Sequence, residues 1–514
     1  MTLERGNSPG NIPELLRQRA AATPDKTFLI SEADKRQFTY REFEKVVARA
    51  AGMLAAKGIG KGDVVSLLLP NSVEYVIAYF ACWQLGALAG PVNGHLKQQE
   101  IEYVVSNSES KLMLVNSEFL PKVEAINVPR VVFDDEREAS HGFNEENTDQ
   151  IEEEDEAIII YTSGTTGKPK GCLLTHRNVI ANARQISDWL KFTESDRLLT
   201  IMPLFHMNAV SVTTMSALYA GASTVVSQKF SASRFWNIIS DYQITSFGSV
   251  ATMLSMLLST YPDGVPAGLK TDQLRFAMCG SAPVPVKVLD AFERAFGCLV
   301  VEGYGLSEST CRSTFNPPNE RRRPGSCGLP IGNEMRVVDE DDQDVPDGQL
   351  GEIVLRGENI LKGYFKNEAA TATAFRNGWF HTNDIGYRDA DGFYYIVDRK
   401  SDMIIRGGEN IYPREIDEVL YQHPQIAAAA VIGVPDELYG EEVAAVVVLK
   451  PEEKVSEQDV IDFCKARLAD YKCPKTVCFV GDIPKGPTGK LLKRELAQMF
   501  SEGNPQITQK QFFR

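Results

Sequence analysis

The sequence predicts an α/β fold of layered sheets and helices, followed by a β-rich stretch and a small α+β unit, on three observations. Short apolar runs alternate with amphipathic helical segments from Pro13 to Phe296. Around Arg322 glycines and prolines begin to punctuate short strands, and after Asp398–Ser401 strands and helices interleave again. At 514 residues the chain exceeds one ordinary domain, and length alone suggests about three or four units.

Taken in order, Pro13–Ala22 reads as a helix, TFLI as a strand, and TYREF to AAKG as a long amphipathic helix that stops at Gly58 or Gly60. VVSLLLP is the next strand, Ser72–Leu85 a helix and ALAGPV a short apolar element. The acidic run Glu145–Glu156 is a surface connection, because so much like charge cannot be buried unpaired. It leads into the strand AIIIY. From Asn178 follow a helix, LLTIMPLF, an alanine-rich helix, STVVSQ, a helix through Trp236, ITSFGSV, a helix through Leu258, LRFAMCGS and the helix Val284–Phe296. EMRVVD, GEIVLRG and GFYYIVDR are the short strands of the β-rich region. A terminal unit of about 110 residues, starting near Ser401, contains IDEVLYQHPQIAAAAVIGVP, EEVAAVVVL, VIDFCKARLA and VCFVGDIP.

Composition narrows the function. With 43% hydrophobic and 24% charged residues the chain is globular. Its 54 basic against 69 acidic residues give a net charge of -15, which repels a phosphate backbone and argues against nucleic acid as the main partner. The opening MTLERGNSPGNIPELL has no signal-length apolar stretch, and no segment approaches the roughly 20 residues of a membrane span, so a cytoplasmic protein is expected. Nine scattered cysteines without a C-x-x-C pair fit reduced, packed thiols.

Chemistry concentrates first in YTSGTTGKPKG, Tyr161–Gly171. Gly164, Gly167 and Gly171 permit backbone conformations closed to other residues, so that exposed amides and the hydroxyls of Thr162, Ser163, Thr165 and Thr166 can converge on phosphate oxygens. Lys168 and Lys170 add positive charge. A Walker A loop needs four residues between its first glycine and the Gly-Lys pair; here two separate Gly164 from Gly167, and Pro169 follows the lysine.

Four further segments carry polar residues at the ends of strand-like runs. PLFHMN holds His206, either a packed histidine or a catalytic candidate bordering the acid or its entrance. GSAP, Gly280 to Pro283 with Ser281 and Ala282, and YGLSE, from Tyr304 through Gly305 and Ser307 to Glu308, follow strands at spacings that suit one crevice. Tyr304 offers an aromatic face, Ser307 a hydroxyl, and Glu308 a hard oxygen for Mg²⁺, although a helix start alone would also explain Ser-Glu. HTNDIGYRDADGFYYIVDRK puts Asp384 fifteen residues before Arg399, as a ribose-binding pair or a surface ion pair. RGGENIYP contains Gly407, Gly408 and Glu409, and GPTGKLLKRE carries Lys490, a mobile point charge suited to neutralising a reacting carboxylate and phosphate.

Together YTSGTTGKPKG, PLFH, GSAP, YGLSE, HTND, DRKSDMIIRGGEN and PTGK resemble the AMP-forming acyl-CoA synthetase and adenylate-forming ligase family over nearly the whole chain. The resemblance implies a large N-terminal domain, residues 1–400, of two αβ subdomains plus a distorted β-barrel, with a small mobile α+β C-terminal domain, residues 401–514. It implies that Thr162–Lys170 grip the β and γ phosphates of ATP, that Gly280–Pro283 and Tyr304 frame the adenine, that Ser307 touches phosphate and that Glu308 holds Mg²⁺. Asp384 and Arg399 would bind the ribose and Lys490 the carboxylate and α-phosphate, while the Gly407–Asn410 region would move toward the thiol. Two positions depart from the family pattern. Position 383 is Asn where the motif has Gly, and the hinge position falls on Ser401, with Lys400 and Asp402 as alternatives.

The implied enzyme is an ATP-dependent acid-thiol ligase that forms acyl-AMP and pyrophosphate, then an acyl thioester. No carrier domain follows Lys490, so coenzyme A is the expected thiol, with a carrier protein as the alternative. The expected acid is a medium- or long-chain fatty acid; a carnitine- or crotonobetaine-like acid and an aryl acid are the alternatives. Met207, Val210, Met253, Gly280 and Gly303 are candidate pocket residues for any of them. A homodimer is a fair expectation for this size and class.

Overall fold

In the computed structural model the described residues are 9–138, 150–162, 169–280 and 284–484, with positions 493, 496, 497 and 499 beyond them. They form two compact units, Met1–Met335 with Leu355–Phe380, and Arg336–Val354 with His381–Arg514. Packing therefore groups 336–354 and 381–400 with the terminal part, whereas the sequence pattern starts the terminal unit near Ser401.

The first unit is built on two seven-stranded sheets. One runs Leu299–Glu302, Phe276–Cys279, Ser246–Ser249, Arg197–Thr200, Ser223–Val226, Thr27–Ser31 and Gln37–Thr39, parallel except for its last pair. The other runs Gly363–Tyr364, Lys170–Thr175, Glu156–Thr162, Leu88–Pro91, Val64–Leu68, Leu112–Val115 and Arg130–Val132, with Lys170–Thr175 antiparallel to both neighbours.

The helices follow from caps and pattern. Tyr40–Ala56 starts at Thr39, whose hydroxyl and the Glu42 carboxylate cap each other's amides, and buries Phe43, Val46, Val47, Ala50 and Leu54 on one face. Gly58, at φ 81°, ends it. Val73–Gln84, capped by Ser72, is buried on every side because it packs against strands of both sheets, and its largely apolar sequence matches that position, with Glu74 paired to Arg36. The alanine-rich helix departs from a simple α-helix: Asn208–Met215 is a π-helix that passes into the α-helix Ser216–Ala220. Thr214 Oγ1 donates to the Ala209 carbonyl at 3.0 Å, five residues back, which favours the wider turn.

In the second unit the strands Ile404–Arg406, Glu409–Ile411, Ile426–Asp436, Gly440–Leu449 and Thr476–Phe479 form one mixed sheet. Helices Pro413–Leu420 and Glu457–Lys465 bury Ile416, Leu420 and Val460 against Val431, Val443 and Val447. Lys493 Nζ pairs with Asp417 Oδ2 at 2.7 Å, and Asp417 Oδ1 accepts the Val431 amide at 2.7 Å. The fold is thus a large α/β portion with mixed sheets plus a smaller α+β portion, as the sequence predicts. Among the described residues no helix is long and apolar enough to cross a membrane.

Candidate active site

Thr162 and Lys170 are paired across the hairpin of Glu156–Thr162 and Lys170–Thr175, at the two ends of the glycine-rich loop. Ser163, Gly164, Thr165, Thr166, Gly167 and Lys168 lie outside the described residues. Lys170 Nζ stands 5.2 Å from the ring centre of Tyr364, whose hydroxyl donates to Glu308 Oε1 at 3.1 Å. One phenol therefore brings a loop flank and the Glu308 carboxylate together. Beneath them Cys172 Sγ lies 3.8 Å from Thr162 Oγ1. Burial, and then the charge of Glu308, push this thiol well above its usual range, so it stays neutral and is no nucleophile.

Glu308 sits on a folded-back loop. Ser307–Ser309 is a single 3-10 turn, and Tyr304 closes the loop by accepting the Ser313 amide at 2.8 Å and donating its own to Thr314 Oγ1 at 3.1 Å. A Cβ at Gly305 would overlap the Cys311 carbonyl, so only glycine fits there. Thr310 adopts φ 64°, a left-handed conformation costly for a β-branched residue by about 1–3 kcal/mol. Asn359 holds this strain in place, because its carbonyl accepts Thr310 Oγ1 at 2.7 Å and its Nδ2 reaches the Ser309 carbonyl at 3.2 Å. Ser307 and Glu308 are half-buried.

Gly280 and Gly303 follow the adjacent parallel strands Phe276–Cys279 and Leu299–Glu302, at the carboxyl ends where open sheets bind ligands. Ser281, Ala282 and Pro283 lie outside the described residues. His206 follows Arg197–Thr200 on the same sheet, and its loop is pinned by Asn71, which accepts the Leu204 amide and donates to the Met202 carbonyl, both at 2.8 Å. Burial lowers the His206 pKa to about 4, and its Nε2 has no partner.

In the second unit Asp384 and Arg399 face each other across the strands Trp379–Arg388 and Tyr394–Arg399, with Arg399 Nε 3.1 Å from the buried Asp384 Oδ1. Asn383 has φ 59°, the left-handed region that glycine tolerates best and asparagine next, which accounts physically for both residues at this position. Its amide donates to Glu352 Oε1 at 3.0 Å. Gly407 and Gly408, at φ 57° and 90°, form the two-residue turn of a hairpin whose second strand begins at the exposed Glu409. Ser401 is exposed and bonds Asp402 at 3.0 Å. Lys490 lies outside the described residues.

Three residues of this region escaped the sequence reading. Tyr364 is reached only by pairing Gly363–Tyr364 with Lys170–Thr175. Arg312 sits in an ordinary-looking polar run and Asn208 in a mostly apolar one, and their burial is visible only in the fold.

Residues 16–365 match the AMP-binding enzyme family and residues 415–490 the AMP-binding enzyme C-terminal domain. The chain belongs to this family. It is an AMP-forming acyl-CoA synthetase, an ATP-dependent acid-thiol ligase that works through an acyl-AMP intermediate. It is 35% identical over 503 residues to the sulfoacetate–CoA ligase of Cupriavidus necator, covering 94% of this chain and 97% of that one. To a long-chain-fatty-acid–CoA ligase of Mycobacterium tuberculosis it is 36% identical over 509 residues, covering 96% and 99%. The o-succinylbenzoate coenzyme A synthetase of Bacillus subtilis, in complex with ATP and magnesium ion, superposes with a TM-score of 0.84 at 35% identity, covering 94% and 98%.

Proposed function

We propose that this enzyme joins a small-molecule carboxylic acid to free coenzyme A, with Glu308, the loop 162–170 and Lys490 serving the adenylation half. The observation that carries this reading is Tyr364, which holds Glu308 by a hydrogen bond and lies under Lys170. A carboxylate is a poor acyl donor because oxide would have to leave. Its oxygen therefore attacks the α-phosphorus of ATP, the α–β anhydride bond breaks, and pyrophosphate departs. The coenzyme A sulfur then attacks the acyl carbon, the bond to AMP breaks with its electrons on AMP, and the thiol proton passes to solvent.

In this reading Thr162, Lys170 and the loop between them bind the departing phosphates, and Gly280 to Pro283, Tyr304, Gly305 and Ser307 frame the nucleotide. Asp384 and Arg399 hold the ribose hydroxyls. Glu308 is a single carboxylate half-open to solvent, which suits Mg²⁺ because this ion takes one or two carboxylates and completes its shell with phosphate and water. When bound, the ion supplies positive charge to the leaving pyrophosphate. His206, buried and neutral, borders the acid. Residues 401–514 act as a mobile lid that carries Lys490, turning near Ser401 and presenting Gly407, Gly408 and Glu409 for the thioester half. Nine free cysteines support a reducing, cytoplasmic setting.

The test is pyrophosphate and acyl-CoA formation over a panel of acids with and without coenzyme A. Turnover only with a carrier-protein thiol would replace the coenzyme A reading by carrier loading. For Lys490→Ala the expected loss is roughly 100- to 1,000-fold in adenylation, with thioester formation from supplied acyl-AMP largely kept. Equal loss in both halves would remove Lys490 from this role. A medium- or long-chain fatty acid is one reading of the acid, supported by the 36% identity to the Mycobacterium tuberculosis ligase.

A further inference from the structure

Arg312 is 2% exposed, yet its Nε and Nη2 have no hydrogen-bond partner, and no described carboxylate makes an ion pair with it. A buried charge left uncompensated is strongly destabilising, so its presence in this chain needs a reason. The backbone of Arg312 is firmly placed: Asn182 Nδ2 donates to its carbonyl at 2.7 Å, and its amide donates to Asn182 Oδ1 at 3.2 Å. The guanidinium is 5.5 Å from the Phe315 ring centre. It lies against Gly280, where a Cβ would fall 2.6 Å from Nη2, while a Cβ at Gly303 would fall 2.6 Å from Phe315 Cδ1. Two strand-end glycines thus make room for this arginine and its aromatic neighbour.

A second unsatisfied group sits on an adjoining element. Asn208, 6% exposed at the start of the π-helix, has no partner for either Oδ1 or Nδ2. Ser211 of that helix donates to the same Asn182 Oδ1 at 3.1 Å, so a single asparagine fastens both the Arg312 loop and the Asn208 helix. Asn208 Oδ1 would stand 3.1 Å from a Cβ at Gly248, on the strand next to the one that ends at Gly280. A positive charge and an amide, both desolvated and unpaired, therefore converge on neighbouring carboxyl ends of one parallel sheet.

The geometry points to Arg312 as the residue that selects the acid: the substrate is a short carboxylic acid bearing a second anionic group, a carboxylate or sulfonate, that pairs with its guanidinium, with Asn208 as a further hydrogen-bonding partner. This rests on the coenzyme A ligase reading above and names the acid for it. A planar guanidinium binds such groups through two parallel N–H bonds. The same charge repels a quaternary ammonium, and an alkyl tail would leave the site's polar groups unpaired.

The test uses the full-length enzyme with ATP, Mg²⁺ and coenzyme A, on sets of acids of equal chain length ending in carboxylate, sulfonate, methyl or trimethylammonium. Wild-type kcat/KM is expected to favour the anion-terminated acids by about 100-fold or more, since a site built to pair a polar group rejects the analogue without it. Arg312→Met is expected to remove that preference while the KM for ATP holds, and Arg312→Lys to keep part of it. Because an apolar residue replaces an unpaired buried charge, the Tm of Arg312→Met should not fall. A wild-type enzyme that takes methyl-terminated acids as well as the others overturns the proposal and leaves the ligase reading standing, as does a variant that loses all acids equally. No pyrophosphate from any acid removes the ligase reading itself, and the proposal with it.

Discussion

Glu308 and Arg312 lie four residues apart on one loop and are treated oppositely by the fold. Glu308 is half-open and has a partner in the Tyr364 hydroxyl, whereas Arg312 is sealed in and has none for Nε or Nη2. The carboxylate is a group that water and a ligand can both reach. The guanidinium is a group whose partner the chain does not supply. In a protein most buried polar atoms are satisfied internally, so those left over at strand ends indicate ligand chemistry more sharply than those already paired.

The largest effect that would sharpen this contrast is expected from Glu308→Gln, which keeps the shape and removes the charge. Adenylation should fall roughly 100- to 1,000-fold, measured as pyrophosphate release, with the preference among acids unchanged. If that variant altered acid preference instead, the division of labour between the two residues would break. Tyr364→Phe deletes only the hydroxyl that bonds Glu308. A loss of roughly 10-fold in kcat/KM is expected, together with a higher Mg²⁺ requirement, in line with one hydrogen bond to a charged group. An unchanged Mg²⁺ titration would reduce Tyr364 to packing.

The smallest effect concerns two buried histidines, His206 and His176, whose Nε2 atoms have no partner. Burial lowers both His206 and His176 to about 4, and unfolding returns them toward about 6.5. The unfolded chain then binds more protons below that value, so stability is fully present above about pH 6.5 and falls as the pH drops toward 4. Thermal melts at pH 7.5 and 5.5 should show the decline, and His206→Asn should flatten part of it. A Tm that is insensitive to pH over this window would mean that the two rings are accessible to protons in the folded state.

Much of the fold was legible because its signals are local. The caps Thr39 and Ser72, the stop at Gly58 and the period of each apolar run depend on residues a few positions apart. The π-helix Asn208–Met215 was not legible, since its composition reads as an ordinary alanine-rich helix and the wider turn is favoured by the Thr214 and Ser216 hydroxyls, which donate to carbonyls five residues back. Asn383 shows the intermediate case. The sequence marked it as a departure, and its φ of 59° explains why glycine and asparagine share the position.

By itself the sequence determined the reaction class, because the glycine-rich loop, Glu308, Asp384, Arg399 and Lys490 are recognisable by residue type and order. Only the tertiary structure decided which polar groups have partners. Whether Arg312 is solvated, paired or stranded depends on Gly280, Gly303 and Asn182, which are 32, 9 and 130 positions away along the chain and come together only when the strands align. Burial and pairing are properties of the fold, and in this enzyme they bear on the acid that the motifs leave open.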